Sequence, residues 1–324
     1  MAAIGDDIFV YLGGEQEVPR GVTHAIIDPS VKTVRRGAFA HRQHLVSIIF
    51  HDGVEIVEGG SFNGCRSLRG RIKLLGVREI GEGAFYGCVA LSGVELGNWL
   101  ETIENTAFRF CSSLRSIKMP SVRTVQGFAF NNCEQLTDVE FGMNLETIGF
   151  NTFKNCPNLR RIAIPFKDNL FPRDPIEHLL SMEHRYTQFD DCDDLTAVNL
   201  VGGIYNTISS LLIESWKNEM NEEINRINRE LPNRVANEKT DAIRLWIRSV
   251  INRMDHYKAE HNRLLKEHMT LLQLAIWKAK LDEKEDDLQT KGAKIDEEST
   301  REEKRITSGA DIVIRNVVPF LKLG

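Results

Sequence analysis

Leu114-Arg115-Ser116-Ile117-Lys118-Met119-Pro120 and, starting at Val125, Val125-Gln126-Gly127-Phe128-Ala129-Phe130-Asn131-Asn132-Cys133-Glu134-Gln135-Leu136 decide the fold of this chain. The phenylalanine of this stretch recurs at Phe39, Phe62, Phe85, Phe108, Phe130 and Phe153, at steps of 23, 23, 23, 22 and 23 residues. A small residue usually precedes it: Ala38, Ser61, Ala84, Ala107, Ala129, Thr152. Six residues after each Phe stands a leucine, from Leu45 to Leu159, and five before it an aliphatic, from Val34 to Ile148. The leucine is followed by an alternating apolar pair: Ile48/Phe50, Val94/Leu96, Ile117/Met119, Val139/Phe141 and Ile162/Ile164. One extra residue in the second coil moves its pair to Ile72/Leu74.

The alternating pair predicts a short strand with one face inward. One coil of 22–23 residues cannot bury its Phe, Leu and aliphatics alone, but stacked coils turn each repeated position into a continuous apolar row. A weaker copy reads Phe189, Cys192, Leu195, Val198/Leu200, 36 residues after Phe153, which is one period plus an insertion of 13. The solenoid is therefore expected over 22–202 in about seven coils, interrupted at 166–184 by a segment holding Phe171-Pro172-Arg173-Asp174-Pro175 and a helical turn or two at Ile176 to Glu183. Ala25 and Ile27 read as a half-repeat closing the stack, supported by Ile8-Phe9-Val10-Tyr11 in an N-terminal cap over 1–21.

This pattern resembles the BspA-like, or Treponema-type, leucine-rich repeat, whose signature runs L-x-x-I-x-ϕ and then I-x-x-x-A-F-x-x-C-x-x-L. With the helical tail, the chain resembles the multi-copy version abundant in diatoms, a family defined by its repeat and not by an activity. The resemblance implies an α/β solenoid, a leucine-rich repeat horseshoe or right-handed β-α superhelix with short parallel strands on its concave face.

All six cysteines, Cys65, Cys88, Cys111, Cys133, Cys156 and Cys192, stand three residues after a repeat Phe. One column explains them as small buried hydrophobes. A disulfide ladder does not suit neighbours offset by one strand spacing, and zinc would need close pairs such as C-x-x-C.

After Val201-Gly202-Gly203 the short strands give way to Glu, Lys, Arg and Leu, so 203–324 reads as an all-α helical hairpin or coiled coil. A first helix is expected from Tyr205 to Leu231 on the stripe Ile204, Ile208, Leu211, Ser215, Met220, Ile224, Ile227, Leu231, ending at Pro232-Asn233. A second, capped by Asn237 or Thr240, carries Ile243, Ile247, Val250, Met254, Tyr257, His261, Leu264, His268, Leu271 and Ala275 at strict 4-3 spacing. Trp246, Leu265, Leu272, Leu274, Trp277 and Leu281 widen the stripe toward two-neighbour packing. As one straight helix to Asp287 it would reach about 76 Å, so it must protrude, bend or find a partner. Residues 282–305 read as a solvated helix or linker, and Ile306 to Leu321 as an apolar segment that folds back or docks elsewhere.

The chain has 324 residues, 42% hydrophobic and 27% charged, with net charge -5. That is a foldable composition and does not suit a nucleic-acid binder. Residues 1–205 hold 20 basic and 25 acidic side chains, so the tail is neutral. The acidic start, Met1 to Asp7, lacks the basic n-region of a signal peptide, and no apolar run reaches the ~18 residues of a membrane span. A cytoplasmic location is expected, with nuclear and unconventional surface locations left open, and no membrane insertion.

No Walker loop, dinucleotide fingerprint, G-x-S-x-G or H-E-x-x-H is present. No catalytic residue, cofactor or metal is predicted. Asp190-Asp191-Cys192-Asp193-Asp194 lacks the spacing of a calcium loop and reads as solvated repeat surface. His41 and His44 make a weak metal pair at best; His261 and His268 read as seam histidines, with a pH-sensitive helix contact as the alternative. The best candidate surface is the outward side of the strands, with partner-binding residues Arg69, Arg71, Lys73, Arg115, Lys118, Glu140, Arg160 and Arg161. Lys73, Glu95, Lys118 and Glu140 share one column, where opposite charges can instead pair with each other. Ala163 and Asn199 break it. The expectation is a non-enzymatic protein-interaction scaffold with an unidentified protein partner; the alternative is a coiled-coil adaptor that self-associates through its tail.

Overall fold

The computed structural model describes residues 8–172, 187–202, 204–211 and 213–291, with side chains in the last stretch to residue 282. The chain divides into two compact units, Met1–Arg253 and Met254–Gly324.

The first unit is a parallel-strand β-solenoid of about six turns with helices at its C-terminal end. Six turns contribute two strands each, a longer and a shorter. The longer set comprises β1 (Ile8–Tyr11), β2 (His24–Ile27), β4 (Ser47–Ile49), β6 (Gly70–Leu74), β8 (Leu91–Leu96), β10 (Ser116–Met119), β12 (Asp138–Phe141), β14 (Arg161–Pro165) and β15 (Ala197–Val201). The shorter set is β3 (Thr33–Val34), β5 (Ile56–Val57), β7 (Glu79–Ile80), β9 (Thr102–Ile103), β11 (Thr124–Val125) and β13 (Thr147–Ile148), which pair in series as a six-stranded sheet. The aliphatic five residues before each Phe is thus itself a strand residue, where the repeat arithmetic predicts only an apolar slot.

Stacking is in register, as Ile117↔Val139 and Lys118↔Glu140 show. The extra residue of the second coil is absorbed where β6 meets β8. The register shifts between Gly70 and Arg71, and Gly70 takes φ 80°, which a side chain would resist.

The core is the predicted row. Phe39, Phe62, Phe85, Phe108, Phe130, Phe153 and Phe189 are all fully buried. Successive ring centroids lie 5.0 to 5.7 Å apart with interplanar angles of 16° or less. Tyr11 closes the N-terminal end, its ring 5.2 Å from that of Phe39, while β1 pairs with β2 and buries Ala25 and Ile27. At the stem of the insertion, Leu170 accepts a backbone bond from Ile148 at 2.7 Å and Phe171 packs edge-on against Phe189. The helical turn expected at Ile176 to Glu183 lies outside the described residues.

All six cysteines are buried and free. Each thiol donates to the carbonyl of the ladder Phe in the preceding coil, from Cys65 to Phe39 at 3.0 Å through Cys192 to Phe153 at 2.9 Å. The column therefore bonds as well as packs.

The helix predicted from Tyr205 to Leu231 is instead two, α1 (Ile204–Ser209) and α2 (Glu214–Glu230), followed by a 3-10 turn at Leu231–Asn233 that contains Pro232. Ser215 lies just past the break and is exposed, whereas Met220, Ile224, Ile227 and Leu231 are buried. Helix α3 runs Ala236–Lys291. In its first turns Ile243, Trp246, Ile247 and Val250 are buried, and the Trp246 indole donates to the Glu223 carbonyl at 2.9 Å. Neither predicted cap serves α3: Asn237 and Thr240 lie inside it, and Thr240 bonds elsewhere.

In the second unit, α3 buries the seam residues Met254 and Tyr257. Beyond them the seam opens: His261 is half-buried, its Nδ1 without a partner among the described residues, and His268 is exposed. Leu265, Met269, Leu272, Ile276 and Trp277 are exposed. Arg263 pairs with Glu260 and Glu267 on the same helix. The expectations for 292–305 and for Ile306 to Leu321 fall outside the described residues.

Candidate functional site

The outward side of β6 to β15 follows from period-two alternation. Ile72, Leu74, Ile117, Met119, Val139 and Phe141 point into the core, which leaves Lys73, Glu95, Lys118 and Glu140 outside and in register. They pair across strands: Lys73 to Glu95 at 3.7 Å and Lys118 to Glu140 at 2.8 Å. Arg161 donates to Asp138 at 2.7 Å, and Thr137 donates to the other carboxylate oxygen. The Arg161 bond, with Thr137 helping against partial burial, holds the Asp138 carboxyl below its ordinary pKa. Arg160 reaches Asp194 at 3.8 Å.

The eight predicted residues thus divide. Lys73, Lys118, Glu140, Arg160 and Arg161 are engaged in ion pairs with one another or with neighbours. Arg69 and Arg115 are exposed on the turns entering β6 and β10, and among the described residues neither meets a carboxylate. Arg71 lies across Gly93, where a Cβ would come within 3.1 Å of its Nε.

The face carries a groove of about 490 Å³. Leu96, Met119 and Phe141 line it with Arg71 and the Lys118–Glu140 pair. Met143, 48% exposed, also lines it, as does Val201, and Met143 crowds Gly202, where a Cβ would meet its Sδ at 2.1 Å. Sequence reasoning placed the charges but missed the groove, because its apolar part comes from strand ends whose side chains alternation assigns to the core. Ala163, in the same column as Lys118, is buried, so the column closes there.

One other sequence candidate resolves into structural contacts. In the acidic run, Asp190 takes the Thr187 hydroxyl and pairs with Lys154 at 3.5 Å. The carbonyls of Cys192, Asp193 and Leu195 accept the Lys239 ammonium. No group of three or more His, Cys, Asp or Glu among the described residues could hold a metal ion. Nor, among those residues, is any helix long and apolar enough to cross a membrane.

Residues 21–75 and 78–174 match the BspA type leucine rich repeat region in six copies. Over these residues the solenoid is a BspA-type leucine-rich repeat. Solved structures similar to it include a Treponema pallidum leucine-rich repeat protein, 27% identical over 49% of this chain and 75% of that one, with a TM-score of 0.38. A leucine-rich repeat protein from Eubacterium ventriosum is 16% identical over 59% of this chain and 54% of its own, with a TM-score of 0.37. One from Bacteroides ovatus is 22% identical over 56% and 61%, with a TM-score of 0.27. No curated protein matches the sequence. Leucine-rich repeat proteins are generally protein-interaction or surface scaffolds.

Proposed function

We propose that this BspA-type repeat is a non-catalytic scaffold that binds a protein partner on the outward face of its longer strands. The groove bounded by Arg71, the Lys118–Glu140 pair and Met143 carries this reading. Its walls are set by coil stacking, so a partner meets side chains already fixed in place and little ordering cost falls on binding. Arg69, Arg71 and Arg115, which meet no carboxylate among the described residues, supply anchors near an apolar floor. The test is affinity capture with the wild type and with Arg71→Glu/Arg115→Glu. Partners held by this face should be lost from the variant, and identical partner sets would remove the face from consideration.

A second reading rests on α3. Leu265, Met269, Leu272 and Ile276 are exposed at 3-4 spacing, the pattern of a helix that meets another helix. Self-association through this stripe would make the chain an adaptor. Sedimentation of the full chain against Leu272→Glu/Ile276→Glu separates the readings: a concentration-dependent oligomer abolished by the variant supports the adaptor, and a monomer in both supports the scaffold alone.

A further inference from the structure

One position after each ladder Phe the chain reads Ala40, Asn63, Tyr86, Arg109, Asn131, Lys154 and Asp190. Two of these are cations. Lys154 has Asp190 at 3.5 Å. Among the described residues Arg109 has no carboxylate partner, and its buried Nε has no acceptor. Its guanidinium is held instead between two rings, 4.9 Å from the centroid of Phe110 and 5.5 Å from that of Phe128.

Both rings come at a backbone cost. Phe110 and Phe128 have φ of 62° and 57°, a region that bulky side chains avoid. In the slot of Phe110 other coils place His41, Gly64, Gly87, Asn132, Asn155 and Asp191, and in the slot of Phe128 they place Gly37, Gly60, Gly83, Thr106 and Asn151, all with positive φ. Glycine or asparagine, which adopt this conformation readily, fill most of these slots, whereas phenylalanine fills both positions beside one arginine. Strain that persists in adjacent coils at one spot points to a use for the side chains. The ladder does not supply that use, because the core rings are those of Phe108 and Phe130. The aromatic surface extends to Tyr86, edge-on to Phe110 at 5.4 Å, and to Phe150, edge-on to Phe128 at 5.3 Å and 39% exposed. Gly127 makes room for it: a Cβ there would stand 3.2 Å from the Phe150 ring.

We infer that Arg109, Phe110, Phe128 and Phe150 form a docking site for an acidic peptide segment of a partner. A carboxylate takes the in-plane N–H edge that ring stacking leaves to the guanidinium, and an adjacent apolar side chain packs on the aromatic rings. A single cation against an aromatic wall suits one carboxylate beside one ring better than a phosphate, whose greater charge calls for several basic groups. The site shares no residue with the sheet-face groove.

The probe is a fluorescein-labelled hexapeptide alternating glutamate and phenylalanine, read by fluorescence anisotropy on the full chain at low salt, with a lysine-phenylalanine counterpart. The acidic peptide should bind, the basic one should not, and added salt should weaken binding. Arg109→Gln should weaken it about tenfold or more, while Lys118→Glu should leave it unchanged. Because Arg109→Gln could disturb its two stacked rings, its melting temperature is measured alongside. Phe150→Ser, at an exposed ring, provides a second arm with an expected loss of several-fold. Absence of binding to the wild type, equal binding of the basic peptide, unchanged affinity in both variants, or loss on Lys118→Glu alone would each overturn the site.

Discussion

The ladder residues act by repetition. Phe108 lies between Phe85 and Phe130, with interplanar angles of 3° and 2°, so its removal leaves a cavity touching three coils. Phe108→Ala should cost about 3–5 kcal/mol, read as a shift in the denaturant midpoint. Stability near that of the wild type would contradict a close-packed stack. The cysteines add a second residue-scale effect with a defined sign. Burial pushes the thiols of Cys65 and Cys111 up to about 12, and those of Cys88, Cys133 and Cys192 well above the ordinary value. In the unfolded chain a thiol ionises near 8.5. Below that pH both states hold the proton and the contribution to stability is complete. Above it the unfolded chain releases protons that the folded chain keeps, so stability falls as pH rises toward the folded value. At pH 9.5 Cys65 and Cys111 should each cost about 1.4 kcal/mol. Urea midpoints at pH 8 and 9.5 should therefore fall less for Cys65→Ala/Cys111→Ala than for the wild type. Parallel falls would show that these thiols are not protected.

At the scale of elements, the repeat has an end to close. Inside the stack the amide of each ladder Phe bonds to the next coil, as Phe108 does to the Ala129 carbonyl at 2.8 Å. Phe189 has no next coil. Its amide and that of Gln188 bond to the Thr240 hydroxyl at 3.3 and 3.2 Å. Lys239, 1% exposed, spends its ammonium on the carbonyls of Cys192, Asp193 and Leu195. Burial pulls its pKa below that of an ordinary lysine, although the nearby Asp193 and Asp194 act in the opposite direction. Asn228 of α2 accepts the Val198 amide at 2.8 Å, serving the edge of β15. Lys239→Met keeps the length and removes every donor. It should cost about 3 kcal/mol or more by leaving buried carbonyls unmade, and Thr240→Val about 1–3 kcal/mol, both readable as lost melting temperature. The ladder was legible in the sequence because identical spacing needs identical residues. The cap was not, since Lys239 and Thr240 meet the last coil from some fifty residues away, outside any period. The second sheet escaped because two-residue strands such as Thr102–Ile103 offer too few positions to alternate. The groove escaped because Met143 becomes part of it only when the coils are superimposed.

For the whole molecule, the helices up to Arg253 form one compact unit with the solenoid, and their first turns supply what a further coil would have supplied. Stability in a stack comes from nearest-neighbour contacts, so an uncapped terminal coil exposes its core face and frays inward. A chain ending after Gly202 would uncover Phe189, Cys192 and Leu195 together with the unmet groups of the last coil. It should fail to give a cooperative melt, or should aggregate. A chain ending after Arg253 retains Lys239, Thr240, Trp246 and the α2 contacts, and should melt cooperatively within a few degrees of the full chain. Circular dichroism melts of the two truncations decide the matter. If the shorter chain were as cooperative as the longer, the helices would be an appendage to the solenoid and not its end wall; if the longer one failed as well, residues beyond Arg253 would have to contribute to the stack.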